Sequence, residues 1–370
     1  MLIDTTLREG AQLFGAYFNR ETKERIIAGL LALGVNEIEL GWVGQEGLED
    51  LAQWARPRAG KTALSVWSPC RGADIRTAAA LKVDRVNIGV PVSDMHMEKR
   101  LGTDREGLLE RLARTVLTAG LLGITYVSVG LEDVSRADES FALTAAQLAE
   151  DMGASRVRLA DSVGILTPLR MMELARTFRQ QLTIDLAVHC HDDFGMATGN
   201  AISALEVGFN YADCSVLGIG ERSGIAATEE LATYLSLKEE NHAYQTDRLR
   251  DLCHFVSHAA GVPIPRTKAI AGKDIFACES GIHAHALGKS PELFEPYDPA
   301  AIGADRTLAV GGKSGRAAIV NALGANGILH TQADLPGIVA AVRQLSLQLE
   351  RPLTTAELAR LTQANENRVC

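Results

Sequence analysis

The chain has 370 residues, is 46% hydrophobic and 22% charged, and carries a formal net charge of −9. That acidic balance, without a basic run, argues against nucleic acid and anionic membrane surfaces as partners, and no apolar run reaches the length of a bilayer span. The six cysteines show no CxxC spacing and read as reduced thiols. The opening "MLIDTTLREG" has no basic n-region or apolar h-region, so a cytoplasmic location is expected.

Short apolar, β-branched runs occur at 2–6, 35–40, 62–67, 85–90, 124–130, 155–160, 184–190 and 211–217. Helical patterns lie between them, among others at 20–33, 104–122, 138–152, 168–181, 197–207 and 227–238. Gly34, Gly123, Gly153 and Gly208 each follow a helical stretch, as expected for a glycine just past a helix end. Eight strand–helix units in about 240 residues predict an α/β fold, the (β/α)8 TIM barrel. A doubly wound open sheet is the competitor, but no GxGxxG follows the first strand. The barrel is assigned to 1–260 and a linker with a helical C-terminal subdomain to 261–370. "GVPIPRTKAIAG" (261–272) reads as extended linker, short helices are expected within 273–290 and 299–322, and two amphipathic helices within 334–364. Thr354 or Thr355 can cap the last of them.

In a barrel of this kind, chemistry belongs at the C-terminal ends of the strands. The polar residues there are Thr5, Thr6, Arg8, Glu9 and Gln12 after the first strand, Glu39 on the second and Arg71 after the third. Glu132 and Asp133 follow the fifth, Asp161 and Ser162 the sixth, and His189 and His191 end the seventh. The loop "GIGERSG" (218–224), with Glu221 and Arg222, follows the eighth. Strand side chains alternate, so His189 and His191 share a face while Cys190 turns away into packing. Two imidazoles with one carboxylate, Glu9 being the best placed, suit a divalent metal that keeps positions open for substrate. The competing reading is an ordinary pair of strand histidines, with Glu9 and Arg8 as a surface pair. Asp192 and Asp193 are expected to cap the next helix or to orient the histidines. Glu221 and Arg222 are balanced between an ion pair closing the barrel and contact with substrate.

Seven motifs together resemble one family: "IDTTLREGAQ" (3–12), "GVNEIELG" (34–41), "GLEDVSRAD" (130–138), "LADSVGILTP" (159–168), "HCHDDFGMATGNAISALEVG" (189–208), "GIGERSG" (218–224) and "SGIHAHAL" (280–287). It is the group of metal-dependent (β/α)8 acyltransferases and lyases that includes 2-isopropylmalate, citramalate and homocitrate synthases. "VNIGVPVSDMHMEKRLG" and "VSVGLEDVSRAD" look most like homocitrate synthases of the nitrogen-fixation type. The resemblance implies Glu9, His189 and His191 as ligands of a divalent metal (Mg²⁺, Mn²⁺ or Zn²⁺), with acetyl-CoA as co-substrate. It implies that Arg8 meets the carbonyl of a 2-oxo acid and that Gln12, Glu39, Arg71 and Ser162 line the acceptor pocket. Glu132 and His283 would form the acid–base apparatus. His283 lies in the subdomain, which in this family reaches into a partner's barrel, so a homodimer with exchanged subdomains is implied.

The expected reaction is condensation of acetyl-CoA with 2-oxoglutarate to homocitrate, followed by thioester hydrolysis. Arg71 would suit the far carboxylate. Oxaloacetate, pyruvate and 2-oxoisovalerate are the alternative acceptors, giving citrate, citramalate and 2-isopropylmalate. A lyase of the hydroxymethylglutaryl-CoA type, or an aldolase, is the alternative class, disfavoured by "SGIHAHAL". The chain departs from the family pattern at Ala11, at Leu217 and Ile225, where asparagines are usual, at His285, and in "VGGKSGR" (310–316).

Overall fold

The computed structural model describes residues 1–238, 244–279, 287 and 290–366. The chain divides into two compact units, Met1–Ile264 and Pro265–Cys370.

The first unit is a closed barrel of eight parallel strands in sequence order. The strands are β1 (Leu2–Asp4), β2 (Glu37–Trp42), β3 (Ala63–Pro69), β4 (Arg85–Pro91), β5 (Val127–Glu132), β6 (Arg156–Asp161), β7 (Asp185–Cys190) and β8 (Tyr211–Cys214). Helices α1 (Arg20–Leu33), α2 (Leu48–Ala55), α3 (Gly72–Ala80), α4 (Arg105–Leu121), α5 (Glu139–Asp151), α6 (Pro168–Gln181), α7 (Ala197–Glu206) and α8 (Thr228–Thr233) follow them in turn. β1 closes on β8, with Leu2 opposite Ala212 and Asp4 opposite Cys214. The predicted barrel is therefore the observed one.

Local chemistry sets the helix ends. The side chains of Asn19, Asp104, Asp138 and Thr167 each accept a backbone N–H in the first turn of the helix that follows. Gly34, Gly123, Gly153 and Gly208 all adopt positive φ, where a side chain would clash. Two runs stop short of their predicted ends. β1 ends at Asp4 because Thr5 O accepts from the amides of Arg8, Glu9 and Gly10, turning the chain. β8 ends at Cys214 and gives way to a 3-10 turn, Val216–Gly218, with Leu217 at φ 62°. The predicted helix 227–238 is α-helical only over α8 and continues as a π-helical turn, Tyr234–Lys238.

Outward strand residues such as Val86, Ile88, Val157, Leu159, Leu186 and Val188 are fully or almost fully buried under the helices. This apolar layer between sheet and helices is the main core, and burial of each such side chain stabilises by roughly 1.5–3 kcal/mol. The barrel interior differs. Apart from a small patch of Ile3, Ala187 and Tyr211, it is filled by charge. Arg156 sits at 0% exposure, with Nη1 and Nη2 donating to the Glu37 carboxylate at 2.8 and 3.0 Å. Its Nη2 also donates to Asn87 Oδ1 at 2.8 Å, and its Nε to Ser128 Oγ at 3.0 Å.

In the second unit, α10 (Arg316–Ala325), α11 (Leu335–Leu349) and α12 (Thr355–Glu366) pack around Ile319, Leu323, Leu335, Ile338 and Val342; α9 (Leu249–Ala260) belongs to the first unit. Thr354 caps α12 in a reciprocal box: its hydroxyl accepts from Glu357 N–H and the Glu357 carboxylate accepts from Thr354 N–H. Most of 280–290, part of the 273–290 stretch in which short helices were expected, lies outside the described residues; before it, Ala277–Cys278 pairs as a strand with Thr307–Leu308.

Candidate active site

The three nominated ligands converge. β1 runs into the turn that carries Glu9, and β7 delivers His189 and His191 on one face, one pleat apart. One ligand atom from each of the three lies within 4.8 Å of the others, the one such cluster among the described residues. All three are buried, Glu9 to 2% exposure and each histidine to 6%. The two rings stand edge to face with centroids 5.1 Å apart.

Their protonation suits a cation. Burial and the neighbouring His189 push the His191 pKa down to about 3, leaving the ring neutral with a free lone pair. Its Nδ1 is buried and has no hydrogen-bond partner. Burial works against ionisation of Glu9, but Arg8 and the two histidines hold its carboxyl below the ordinary value. His189 Nδ1 bonds Asp213 Oδ2 at 2.9 Å, which fixes the ring and leaves Nε2 for a ligand. One carboxylate and two imidazoles, one of them carrying an orphaned buried nitrogen, fit a divalent metal.

A cleft of about 460 Å³ opens over this cluster at the C-terminal end of the barrel. Arg8, Gln12, Glu132 and Ser162 line it, as expected. Arg8 is held by Glu9 on one side and by Glu39, Nε to Oε2 at 2.6 Å, on the other. Glu132 lies 2.5 Å from Arg100. Ser162 Oγ accepts from Asp133 N–H at 2.8 Å.

Two nominated residues do not reach the cleft. Glu39 is wholly buried behind Arg8, where its carboxylate takes Arg8, Thr5 and Asn87, so it orients the arginine rather than touching the pocket. Arg71 precedes α3, and its side chain turns to Asp74 at 2.5 Å and stays largely in solvent. Arg71 is therefore not part of the cleft lining in this structure. His283 and His285 lie outside the described residues. Cys190 is buried, as alternation required.

Of the flanking acids, Asp192 takes an expected role and Asp193 does not. Asp192 Oδ1 accepts from Ala197 N–H and caps α7, while Asp193 holds Arg222 through two bonds of 2.9 Å. Arg222 pairs with Asp193 in preference to Glu221, which is 3.7 Å away. The residue that orients His189 is Asp213, which sequence reasoning passed over, as it did Arg158, Trp67, His96 and Arg100, all but Asp213 in the cleft lining. The signal for Asp213 and Arg158 was alternation: Asp213 sits in the inward phase of β8, and Arg158 in phase with Arg156 on β6. Ile225 bridges backbone to backbone with His191 and does not line the cleft. A larger open cleft of about 1380 Å³ in the second unit has no metal-ligating cluster among its described residues.

Two family models match in succession: "HMGL-like" over residues 1–256 and "Homocitrate synthase post-HMGL domain-like" over 270–350. The chain belongs to the family of HMGL-like homocitrate and 2-isopropylmalate synthases. Among its members, homocitrate synthase 1 of Nostoc sp. is 38% identical over 98% of this chain and 96% of its own. 2-Isopropylmalate synthase 2 of Caldanaerobacter subterraneus subsp. tengcongensis is 35% identical over 96% and 93%. 2-Phosphonomethylmalate synthase of Streptomyces rubellomurinus is 33% identical over 98% and 97%. The HMG-CoA lyase of Bacillus subtilis matches the fold with a TM-score of 0.65 at 19% identity, covering 72% of this chain and 95% of that one. Among the described residues no helix is long and apolar enough to cross a membrane.

Proposed function

We propose that the chain condenses acetyl-CoA with a 2-oxo acid and hydrolyses the resulting thioester, with 2-oxoglutarate as acceptor and homocitrate as product. The observation that carries this reading is the Glu9–His189–His191 cluster beside Arg8 at the mouth of the barrel. The homocitrate-synthase-type segment at 270–350 favours a synthase over a lyase.

Glu9, His189 and His191 would hold a divalent metal, which would supply Lewis-acid polarisation of the acceptor carbonyl. The chain's own groups do the rest. Arg8, fixed by Glu9 and Glu39, aims a guanidinium at the oxygen that gains charge as the new C–C bond forms. A base must take a proton from the acetyl methyl, and the reading gives acid–base work to Glu132, which lines the same cleft next to Arg100. Water then attacks the thioester carbonyl, and CoA leaves as the thiol. The C–S bond breaks and the former acetyl carbonyl becomes a carboxylate of the product, so the step consumes one water and releases one proton. Gln12 and Ser162 remain as polar contacts for the acceptor. A homodimer and the use of His283 belong to the same reading.

The test measures free thiol released from acetyl-CoA with Mg²⁺ or Mn²⁺ across a panel of 2-oxo acids. Release with 2-oxoglutarate is the expected outcome. No release with any acceptor would sink the synthase reading, and clear preference for pyruvate would sink only the homocitrate assignment. Light scattering checks the dimer.

A further inference from the structure

The reaction above leaves one buried cation without a task. Arg158, on β6, is 4% exposed. Its Nη1 lies 3.0 Å from Asp213 Oδ2 and 3.7 Å from Glu39 Oε1. Its Nε and Nη2, which together make one edge of the guanidinium, have no hydrogen-bond partner. Charge balance with Asp213 and Glu39 explains the first contact. It does not explain the second edge, because a buried charged donor left unmade is costly. The same arrangement in Arg156, one pleat below, closes every nitrogen onto protein.

The surroundings of that edge are small. In register, Arg158 faces Gly130 on β5 and Ala187 on β7, and Ala160 stands one pleat nearer the mouth on β6. A Cβ placed on Gly130 would meet nothing closer than Ile88 O at 3.6 Å and Arg158 Cδ at 3.9 Å. Gly130, Arg158 and Ala160 all line the cleft that holds Glu9, His189 and His191. One oxygen of Asp213 meets both His189 Nδ1 and Arg158 Nη1, so the Arg158 guanidinium and a metal-ligating histidine share one carboxylate.

An Nε/Nη2 edge is the fork that takes a carboxylate or phosphonate with two parallel bonds. The geometry points to Arg158 as the acceptor-selecting residue: it receives the second acidic group of a short 2-oxo acid whose oxo-acid end lies at Glu9, His189 and His191. This rests on the condensation reading and narrows it to acceptors with two acidic groups. Arg158 positions the acceptor and takes no part in bond making.

The experiment titrates the full chain, loaded with Mn²⁺, with 2-oxoglutarate, oxaloacetate and 3-phosphonopyruvate, and with 2-oxopentanoate, which replaces the far carboxylate of 2-oxoglutarate by a methyl. Calorimetry reads affinity and thiol release reads turnover. At least one diacid should bind at least about tenfold tighter than 2-oxopentanoate, and the tightest of the three identifies carboxylate or phosphonate. Arg158→Gln should raise Kd and KM for that diacid by about a hundredfold. KM for acetyl-CoA should stay within about threefold, and Arg158→Lys should recover part of the loss. Equal or tighter binding of 2-oxopentanoate by the unaltered chain overturns the inference, as does an Arg158→Gln variant that loses kcat with diacid Kd unchanged. Should Arg158→Gln fail to fold, Arg158→Lys decides: an unchanged diacid Kd overturns the inference. Absence of thiol release with every acceptor sinks the condensation reading, and the calorimetric ratio then decides the role of Arg158 separately.

Discussion

Inside the barrel two charged layers lie one above the other, and they differ in whether their hydrogen bonds close. In the lower layer Glu37 takes Arg156 through both oxygens and Arg85 at 2.8 Å, and Asn87 ties Arg156 to Glu39. In the upper layer the His191 Nδ1 and one edge of Arg158 are left open, under a cleft. Both layers are buried and both pair arginine with carboxylates. A satisfied network fixes geometry, and an unsatisfied one marks where something else must bind. Burial of charge alone therefore does not identify the site; open ligand atoms beneath a cleft do.

That contrast can be broken experimentally. The largest effect is expected in the upper layer: His189→Ala combined with His191→Ala should remove bound divalent metal and lower thiol release by at least about three orders of magnitude, the several kcal/mol a Lewis acid supplies. Metal analysis with an activity assay checks it, and retained metal would contradict the clamp. In the lower layer, Arg156→Met leaves the buried Glu37 with Arg85 as its remaining cation and should cost about 3–5 kcal/mol in chemical denaturation. A loss near zero would mean that the closed network contributes no stability. Between the layers, Asp213→Asn should weaken metal affinity by about ten- to a hundredfold, because His189 loses the partner that orients it; competition with a chelator reads this.

The fourth expectation concerns acid. Burial opposes ionisation of Glu39, but Arg8 and Arg158 hold its pKa down at about 2, against an ordinary 4.5. A depressed carboxylate stabilises the fold fully above its unfolded pKa, and the contribution is lost as pH falls toward the folded one. Unfolding free energy should therefore decline between pH 4.5 and about 2, and Glu39→Gln should flatten that slope. An unchanged slope would mean that other carboxylates dominate. The smallest effect is Arg71→Ala: an exposed arginine paired with Asp74 on α3 should leave KM for the acceptor within about twofold and stability within about 1 kcal/mol.

Much of the barrel was readable because each strand is a short apolar run whose outward residues meet helices, and each helix carries its own cap. The metal cluster was readable because a period of two places His189 and His191 on one face. The rest depended on register around the closed sheet. That Asp213 lands on His189, or that Arg158 meets Asp213 while Gly130 leaves room beside it, follows from which strands are neighbours and from how far each is staggered. Glu39 and Arg71 went astray for a related reason. Position near a strand end says that a side chain is close to the mouth, but not whether a nearer partner, Arg8 or Asp74, captures it first.

Closure of the sheet also sets an order in time. β1 is only three residues long and pairs on one side with β8, and the Met1 ammonium reaches Asn210 O across 209 residues of sequence. At a synthesis rate of about 5–20 residues per second, β1 waits on the order of ten to forty seconds for that neighbour. Pairing at such separation is slow in any case. Because Glu9 hangs from β1 and the histidines from β7, the ligand cluster cannot assemble before the ring is shut. Metal capture during refolding should then follow the final slow phase, and a probe of the metal would report the moment at which the chain becomes a barrel.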